Sequence, residues 1–467
     1  MTDLLRDAAT AALDTLAERL DGDLYRPGDD GWDEARTAWN LAADQHPVAV
    51  VAAESAADVA HTIRAARAEG LRVAPQGTGH AATAIGDLSG TILLRTTRMR
   101  RVDVDPHDRR ARVEAGVIWQ EVTDAAAAHG LAALAGSSHD VGVLGYSLGG
   151  GLSWLARKHG LAANAILAAE IVDAGGTIRR IDADSDPDLF WALRGGGGSF
   201  AIVTALELRL LPVAEVAAGV LFFPIERASE VLNAWLAWTK DVPEEVTSCG
   251  RIMRFPPFPE VPEPLRGNAF ALVEIVVTGD LAGADELVAP LRALGPAMDT
   301  VRVMPARELS TLHMDPPAPV PGVGDGRLLG SAGADTVAAL VEAAGAESGS
   351  SLLSVELRQL GGALDRVAPG DGAATFAGCE YGMFAVGIAA TPELRASSER
   401  DVKRVVAALE PWDSGRDYMN FRESRSTGAR LFSTEIHERL RAIKRRVDPL
   451  DVIRSNHPVR PATASSS

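Results

Sequence analysis

Between residues 48 and 211, short apolar runs of strand length alternate with longer stretches in which apolar residues recur every three or four positions. The two periods predict strands and helices respectively. Residues 48–52 read as a strand, 56–69 as an amphipathic helix closed by Gly70, and 71–74 as a strand running into the loop Pro75-Gln76-Gly77-Thr78-Gly79-His80. Strands are expected at 92–94, 101–104 and 112–115, then a helix at 119–129 ended by Gly130. A glycine-dense passage, 136–151, enters a predicted helix at 152–158. A hairpin at 166–173 and 178–181, a short helix at 188–193 before Gly195–Gly198, and a strand at 201–210 complete this stretch.

Beyond Leu211-Pro212 the texture changes. Strands at 216–223, 269–278, 354–357 and 383–389 alternate with helices at 228–239, 282–294 and 334–344, with proline-rich loops at 255–265 and 316–323. This pattern predicts a second α+β unit. A last segment carries a helix at 434–446 and the turn Asp448-Pro449. No internal repeat is found. At 467 residues the chain exceeds one ordinary core, and the expected division is 1–213, 214–415 and 416–467.

Composition narrows the function classes. A net charge of -17, with no cluster of Lys and Arg, excludes a nucleic-acid footprint. Cys249 and Cys379 are too few for a disulfide framework or a thiolate metal site, and they read as reduced. The leading residues 1–20 carry charges at helical spacing without the apolar centre of a secretory signal, and no stretch gives ~18 uninterrupted apolar residues. The expectation is a cytoplasmic protein with no membrane span.

Three glycine-rich loops, 77–79, 142–151 and 195–198, lie in one unit. Glycine lets backbone N–H groups approach an anion or a flat ring closely. None of the three follows the dinucleotide fingerprint or the P-loop pattern. Gly145-Tyr146-Ser147-Leu148-Gly149 satisfies G-x-S-x-G, and His313, His437 and His457 lie downstream, so a serine hydrolase using Ser147 is an open reading. His80 stands at a strand-to-loop exit, where a side chain is presented from a rigid element. His139-Asp140 reads as surface loop, and His437-Glu438 as a solvated helix face. Tyr146, Tyr381 and Tyr418 fall in glycine-rich or strand-end segments where a phenol can face a cleft.

Four motifs carry a family likeness: Gln76-Gly-Thr-Gly-His80, Val141-Gly-Val-Leu-Gly-Tyr-Ser-Leu-Gly-Gly-Gly151, Arg157-Lys-His-Gly-Leu161 and Asp188-Leu-Phe-Trp-Ala-Leu-Arg-Gly-Gly-Gly-Gly198. With Ile202-Val203-Thr204, Tyr418-Met-Asn420 and Arg439–Lys444, they resemble the berberine-bridge-enzyme-like branch of the vanillyl-alcohol-oxidase (PCMH-type FAD-binding) superfamily. The resemblance covers about residues 46–213 and 416–458. It implies an α+β, two-lobed enzyme whose FAD domain is built from both chain ends, with an antiparallel sheet of the middle domain roofing the isoalloxazine. It also implies that Ser147 packs beside the flavin and is no nucleophile.

The same likeness implies FAD bonded through its 8α-methyl group to His80, with Gln76, Gly77, Thr78, Gly79, Ser138, Val141, Gly142, Gly145, Tyr146, Gly149, Gly150, Gly151, Ile202, Val203 and Asn420 around the cofactor. Ser138 stands where many relatives have a second, thiol attachment, so a single covalent link is expected. Gln76 and Thr78 replace a family arginine and glycine, and Tyr146 a common histidine. The strand matched to the family's base-bearing strand, 381–389, has no carboxylate, which turns the search for a base to Tyr418, with Tyr146 beside it. A phenol with a pKa of ~10 needs nearby positive charge for that task, and Arg422 is one source. The apolar strand suggests a lipophilic substrate. Val141, at the position flanking flavin C4a, favours admission of O2. The expected activity is hydride transfer from a small secondary-metabolite-like molecule to FAD, with O2 reduced to H2O2; an oxygenating flavoprotein and an FAD-binding protein without turnover are the other readings.

Overall fold

The computed structural model describes residues 11–426 and 428–462. The first ten residues of the charged leading segment and the end 463–467 therefore lie outside the described residues.

Three sheets organise the described residues. In the first, β2 (Ala49–Ala52), β4 (Thr91–Arg95) and β3 (Arg72–Gln76) are parallel, and β1 (Asp23–Tyr25) lies antiparallel on the edge. All four β2 residues are buried, because the crossover helix Ala56–Ala68 covers one face. Ser55 caps that helix by accepting the Asp58 N–H. The second sheet is antiparallel, in the order β5 (Val102–Asp105), β6 (Arg110–Glu114), β9 (Ile202–Arg209), β7 (Ile166–Val172) and β8 (Ile178–Ile181).

The third sheet has eight antiparallel strands: β13 (Met298–Asp299), β10 (Glu215–Pro224), β12 (Ala269–Val277), β11 (Val246–Arg254), β16 (Ser354–Gln359), β17 (Tyr381–Ile388) and β15 (Gly322–Leu329) in order, with β14 (Arg302–Pro305) also on β10. Because side chains alternate across a strand, Ala271, Val273, Ile275, Leu357 and Met383 pack under the helices Ala228–Thr239, Ala334–Ala344 and Pro392–Ala408. The opposite face, with Cys249, Met253, Leu272 and Val276, turns toward Trp154 and Leu155 of the first part of the chain. The mixed helix and antiparallel-sheet architecture expected from the sequence is therefore present. Among the described residues, no helix is long and apolar enough to cross a membrane.

Several local expectations fail for identifiable reasons. The helix expected at 152–158 shrinks to Ala156–His159, because Gly150 and Gly151 have positive φ and the Leu152 N–H donates to the Tyr418 hydroxyl. Helix instead forms earlier, at Val143–Leu148, inside the glycine-dense passage. Strands β11 and β15 were not anticipated: the first alternates polar residues inward, and the second contains three glycines, which weaken the strand signal. The 17-residue helix Pro392–Ala408 also escaped, since only Val402 and Val405 give it a buried apolar contact.

The chain's end returns to its beginning. The Val73 N–H donates to Val452 O, and the Arg454 N–H to Val73 O, so the terminal segment lies parallel beside β3 at the edge of the first sheet. The helix Thr434–Val447 presents Lys444, fully buried, whose Nζ donates to Asp448 Oδ2 (2.6 Å), Ser199 O (2.7 Å) and Ile453 O (3.1 Å). Removing one partner of such a pair strands a buried charge. Lys444→Met should therefore lower unfolding free energy by about 3–5 kcal/mol in chemical denaturation. A loss under 1 kcal/mol would show that Asp448 is satisfied without it.

Candidate functional site

The exit of β3 carries the first cluster. His80 is stacked on Trp39, with ring centroids 4.0 Å apart and planes 17° from parallel. Its Nδ1 is 2.8 Å from Thr78 Oγ1, while Nε2 is buried without a hydrogen bond, 3.4 Å from Asp140 Oδ1. Asp140 accepts from Trp39 Nε1 (2.5 Å) and from Ser138 Oγ (3.0 Å). Burial opposes ionisation of this carboxyl, but the nearby His80 imidazole and the hydrogen bonds of Trp39 and Ser138 outweigh it and hold the pKa at about 2. The pair His139-Asp140 is thus more than surface loop: Asp140 ties the 138–140 segment to His80. Gln76 points elsewhere and exchanges amide hydrogen bonds with Gln45.

The second cluster forms where the C-terminal segment meets the glycine run. Asn420 Nδ2 donates to Tyr146 O (3.0 Å) and to the Tyr418 hydroxyl oxygen (2.9 Å), which also accepts the Leu152 N–H (2.9 Å). A Cβ on Gly149 would lie 1.9 Å from Asn420 Oδ1, and one on Gly151 would meet the Tyr146 ring at 2.6 Å. The Tyr146 ring also stands edge-on to Trp119 at 5.3 Å, and its hydroxyl is buried without a partner. Gly142 faces Thr78, which links the two clusters. Ile202 and Val203 instead sit in the apolar core beneath, with Val143, Leu144 and Leu148, and Val141 packs against that core.

Burial pushes both phenols up, Tyr146 and Tyr418 alike; for Tyr418 the Leu152 N–H, the Asn420 amide and Arg358 pull the other way without prevailing. The positive charge expected near Tyr418 is therefore Arg358 and not Arg422, which pairs with Asp325 at 2.9 Å. Tyr381 leaves the cleft altogether: its hydroxyl is 2.7 Å from Thr239 Oγ1, on the helix-covered face.

The sheet face above these clusters holds what the sequence reading missed. Registers place Arg251 opposite Glu356, and Cys249 between Glu274 and Arg358. His313 bridges the carboxylates, with Nδ1 2.8 Å from Glu274 and Nε2 2.7 Å from Glu356. Burial and Arg251 oppose its protonation, but Glu274 and Glu356 hold the imidazole above its ordinary pKa. Arg358 donates Nε to Glu356 (2.6 Å) and Nη2 to Ser137 Oγ (3.2 Å), over the rings of Trp154 (5.5 Å) and Phe421 (5.3 Å). The strand 381–389 indeed lacks a carboxylate, but Glu356 of the adjacent β16 and Glu274 of β12 supply two on the same face of the sheet. The segment Ser-Val-Glu-Leu-Arg-Gln reads as a half-solvated strand, so its alternation gave no cue that the polar side was buried.

The G-x-S-x-G reading finds no support in the geometry. Ser147 is fully buried inside a short helix, and its Oγ has no hydrogen-bond partner. His313 serves the carboxylates, and the His457 ring bonds Ser426 N–H and Arg422 O.

Against known proteins, residues 47–182 match the family described as FAD binding domain, and 417–460 match berberine and berberine like. The chain is 28% identical to (R)-6-hydroxynicotine oxidase of Paenarthrobacter nicotinovorans over 95% of its own length and 97% of that protein. It superposes on 6-hydroxy-D-nicotine oxidase from Arthrobacter nicotinovorans with a TM-score of 0.81, at 26% identity, covering 93% of this chain and 96% of that one. BBE-like 1 of Physcomitrella patens shares the fold, with a TM-score of 0.84 at 20% identity over 97% and 99% of the two chains. The residues present suit FAD. A Cβ on Gly145 would meet open space, and Tyr146 Oη and Trp154 Nε1 are buried polar atoms with no partner among the described residues.

Near this site, burial pushes Glu423 up to about 7, despite the Gly324 N–H it accepts at 2.8 Å, and Asp325 adds like charge. Its folded value lies above its unfolded one, so folding favours the protonated form. That stability is complete below about 4.5 and lost as pH rises through about 7. Between those limits the wild type should lose roughly 1–3 kcal/mol more than Glu423→Gln in parallel denaturation series; equal slopes would contradict the assignment.

Proposed function

We propose that this chain, which belongs to the berberine-bridge-like FAD-linked oxidoreductases, is an oxidase that carries FAD on His80 alone and oxidises a small lipophilic molecule, passing the electrons to O2. The observation that carries the reading is His80 itself: an imidazole at the mouth of a glycine loop, clamped by Trp39 across its face, Thr78 at Nδ1 and Asp140 beside Nε2. Ser138, committed to Asp140, supplies no thiol for a second bond.

When bound, FAD accepts a hydride from a substrate C–H bond and returns the electron pair to O2 as H2O2. The protein's own part is to hold the donor and manage a proton. The Tyr418 oxygen accepts two N–H groups and Arg358 adds positive charge, contributions that favour a phenolate but are outweighed by burial, which holds the pKa above its ordinary value. We assign Tyr418 the task of taking the proton of a substrate O–H or N–H as the hydride leaves. The unpartnered Tyr146 hydroxyl is the second polar contact in this role. Phe376, Phe421 and Phe384 supply an aromatic wall: Phe376 and Phe421 lie 5.0 and 4.9 Å from Tyr418, and Phe384 is 5.1 Å from Phe421. These rings exclude water and support a lipophilic substrate, and the relative named for 6-hydroxynicotine fits the same class.

The test is a screen of small ring-bearing alcohols and amines for anaerobic bleaching of the flavin, followed by admission of air. The expected result is reoxidation with one H2O2 per flavin reduced; a reduced flavin that O2 leaves untouched would refute the oxidase assignment. With a donor in hand, Tyr418→Phe should slow flavin reduction about 10²–10⁴-fold and flatten its rise toward alkaline pH. An unchanged profile removes Tyr418 from the mechanism.

A further inference from the structure

Asp140 lies in a loop that looks ordinary in sequence, yet both of its oxygens have work. Oδ2 takes the Trp39 indole N–H, and Oδ1 takes the Ser138 hydroxyl and faces His80 Nε2 at 3.4 Å. Trp39 is itself fastened, since its backbone N–H donates to Thr78 O and the next residue, Asn40, exchanges hydrogen bonds with Gly322 of β15. The carboxylate and the indole therefore reach the imidazole from two directions, one along its edge and one across its face.

Donor and acceptor chemistry then decides the tautomer. A carboxylate only accepts, so the nitrogen facing Asp140 is the one that carries hydrogen. Nδ1 is left with its lone pair, into which the Thr78 hydroxyl donates at 2.8 Å. A hydroxyl on a threonine rotor can turn away, whereas Asp140, held by two donors, cannot.

We propose that Asp140 is the positioning residue for attachment of FAD to His80: it holds Nε2–H, keeps the Nδ1 lone pair available as nucleophile, and stabilises the positive ring that forms as the bond is made. This rests on the reading of His80 as the attachment point. In the balanced reaction, Nδ1 bonds to the flavin 8α carbon, one C–H bond of that carbon breaks with loss of a proton, the imidazole loses its N–H proton, and the two electrons released reduce O2, which takes up two protons to give H2O2. The role resembles that of a carboxylate behind a catalytic histidine, which orients the ring and answers its charge without itself becoming protonated.

The experiment uses full-length protein produced in flavin-limited cells and mixed with FAD in air. It follows total bound flavin and, separately, the flavin that stays with acid-precipitated protein. Asp140→Asn should still bind FAD but gain covalent flavin at least tenfold more slowly than wild type, and Asp140→Glu should recover part of the rate. Trp39→Phe, which keeps a stacked ring but removes the N–H that fixes Asp140 Oδ2, should also slow attachment, by a smaller factor than Asp140→Asn. Attachment by Asp140→Asn at the wild-type rate would overturn the proposal. Should that variant fail to fold, attachment at the wild-type rate in both Asp140→Glu and Trp39→Phe would overturn it independently. Wild-type protein that binds FAD only reversibly would overturn the reading of His80 instead, so the two failures are distinguishable.

Discussion

The site depends on a close backbone approach: Asn420 occupies the space where any side chain at Gly149 would be, and from there it reaches Tyr146 O and the Tyr418 oxygen. That contact joins residues more than 270 positions apart in the chain. It is possible only because the run 149–151 offers bare backbone, and because the terminal segment is drawn back onto the first sheet by the Val73 hydrogen bonds and by buried Lys444. With either anchor lost, Tyr418 would have no reason to face the glycine run.

Over this floor the third sheet presents charge where a purely apolar roof would have been cheaper to build. Arg251, Glu274, His313, Glu356 and Arg358 are all buried or nearly so, and each is held by a partner of opposite sign. Such an arrangement recovers only part of the cost of taking ions from water, so packing alone does not account for it. What it delivers is a fixed guanidinium beside Ser137, Trp154 and Phe421, within electrostatic reach of both candidate phenols. The roof is thus aromatic toward β17 and ionic toward β16, which suits a lipophilic molecule that must part with a proton.

Much of this was legible beforehand, and the reason is local. Glycines at 77, 79 and 149–151, with His80, Tyr418 and Asn420, form contiguous motifs whose chemistry survives without knowledge of the fold, and the parallel unit around β2 to β4 follows from plain apolar runs. The roof was not legible. Its charges are scattered over β11, β12, β16 and the loop at His313, and each strand alone looks like one with a solvated face. Trp39 and Asp140 stayed hidden for a related reason: 101 residues separate them, and only the fold brings the indole to the carboxylate. Arg422 was the wrong cation because nearness in sequence to Tyr418 says little about direction, and its guanidinium turns to Asp325 and Asp417.

The proposed chemistry centres on one imidazole as the cofactor's point of attachment. Proteolytic digestion of the purified wild-type protein, with mass spectrometry of the yellow fragments, addresses it directly. A single flavin-bearing peptide that contains His80, and none that contains Ser138, is the predicted result. Flavin recovered wholly free of peptide, or mapped to any other residue, would contradict it.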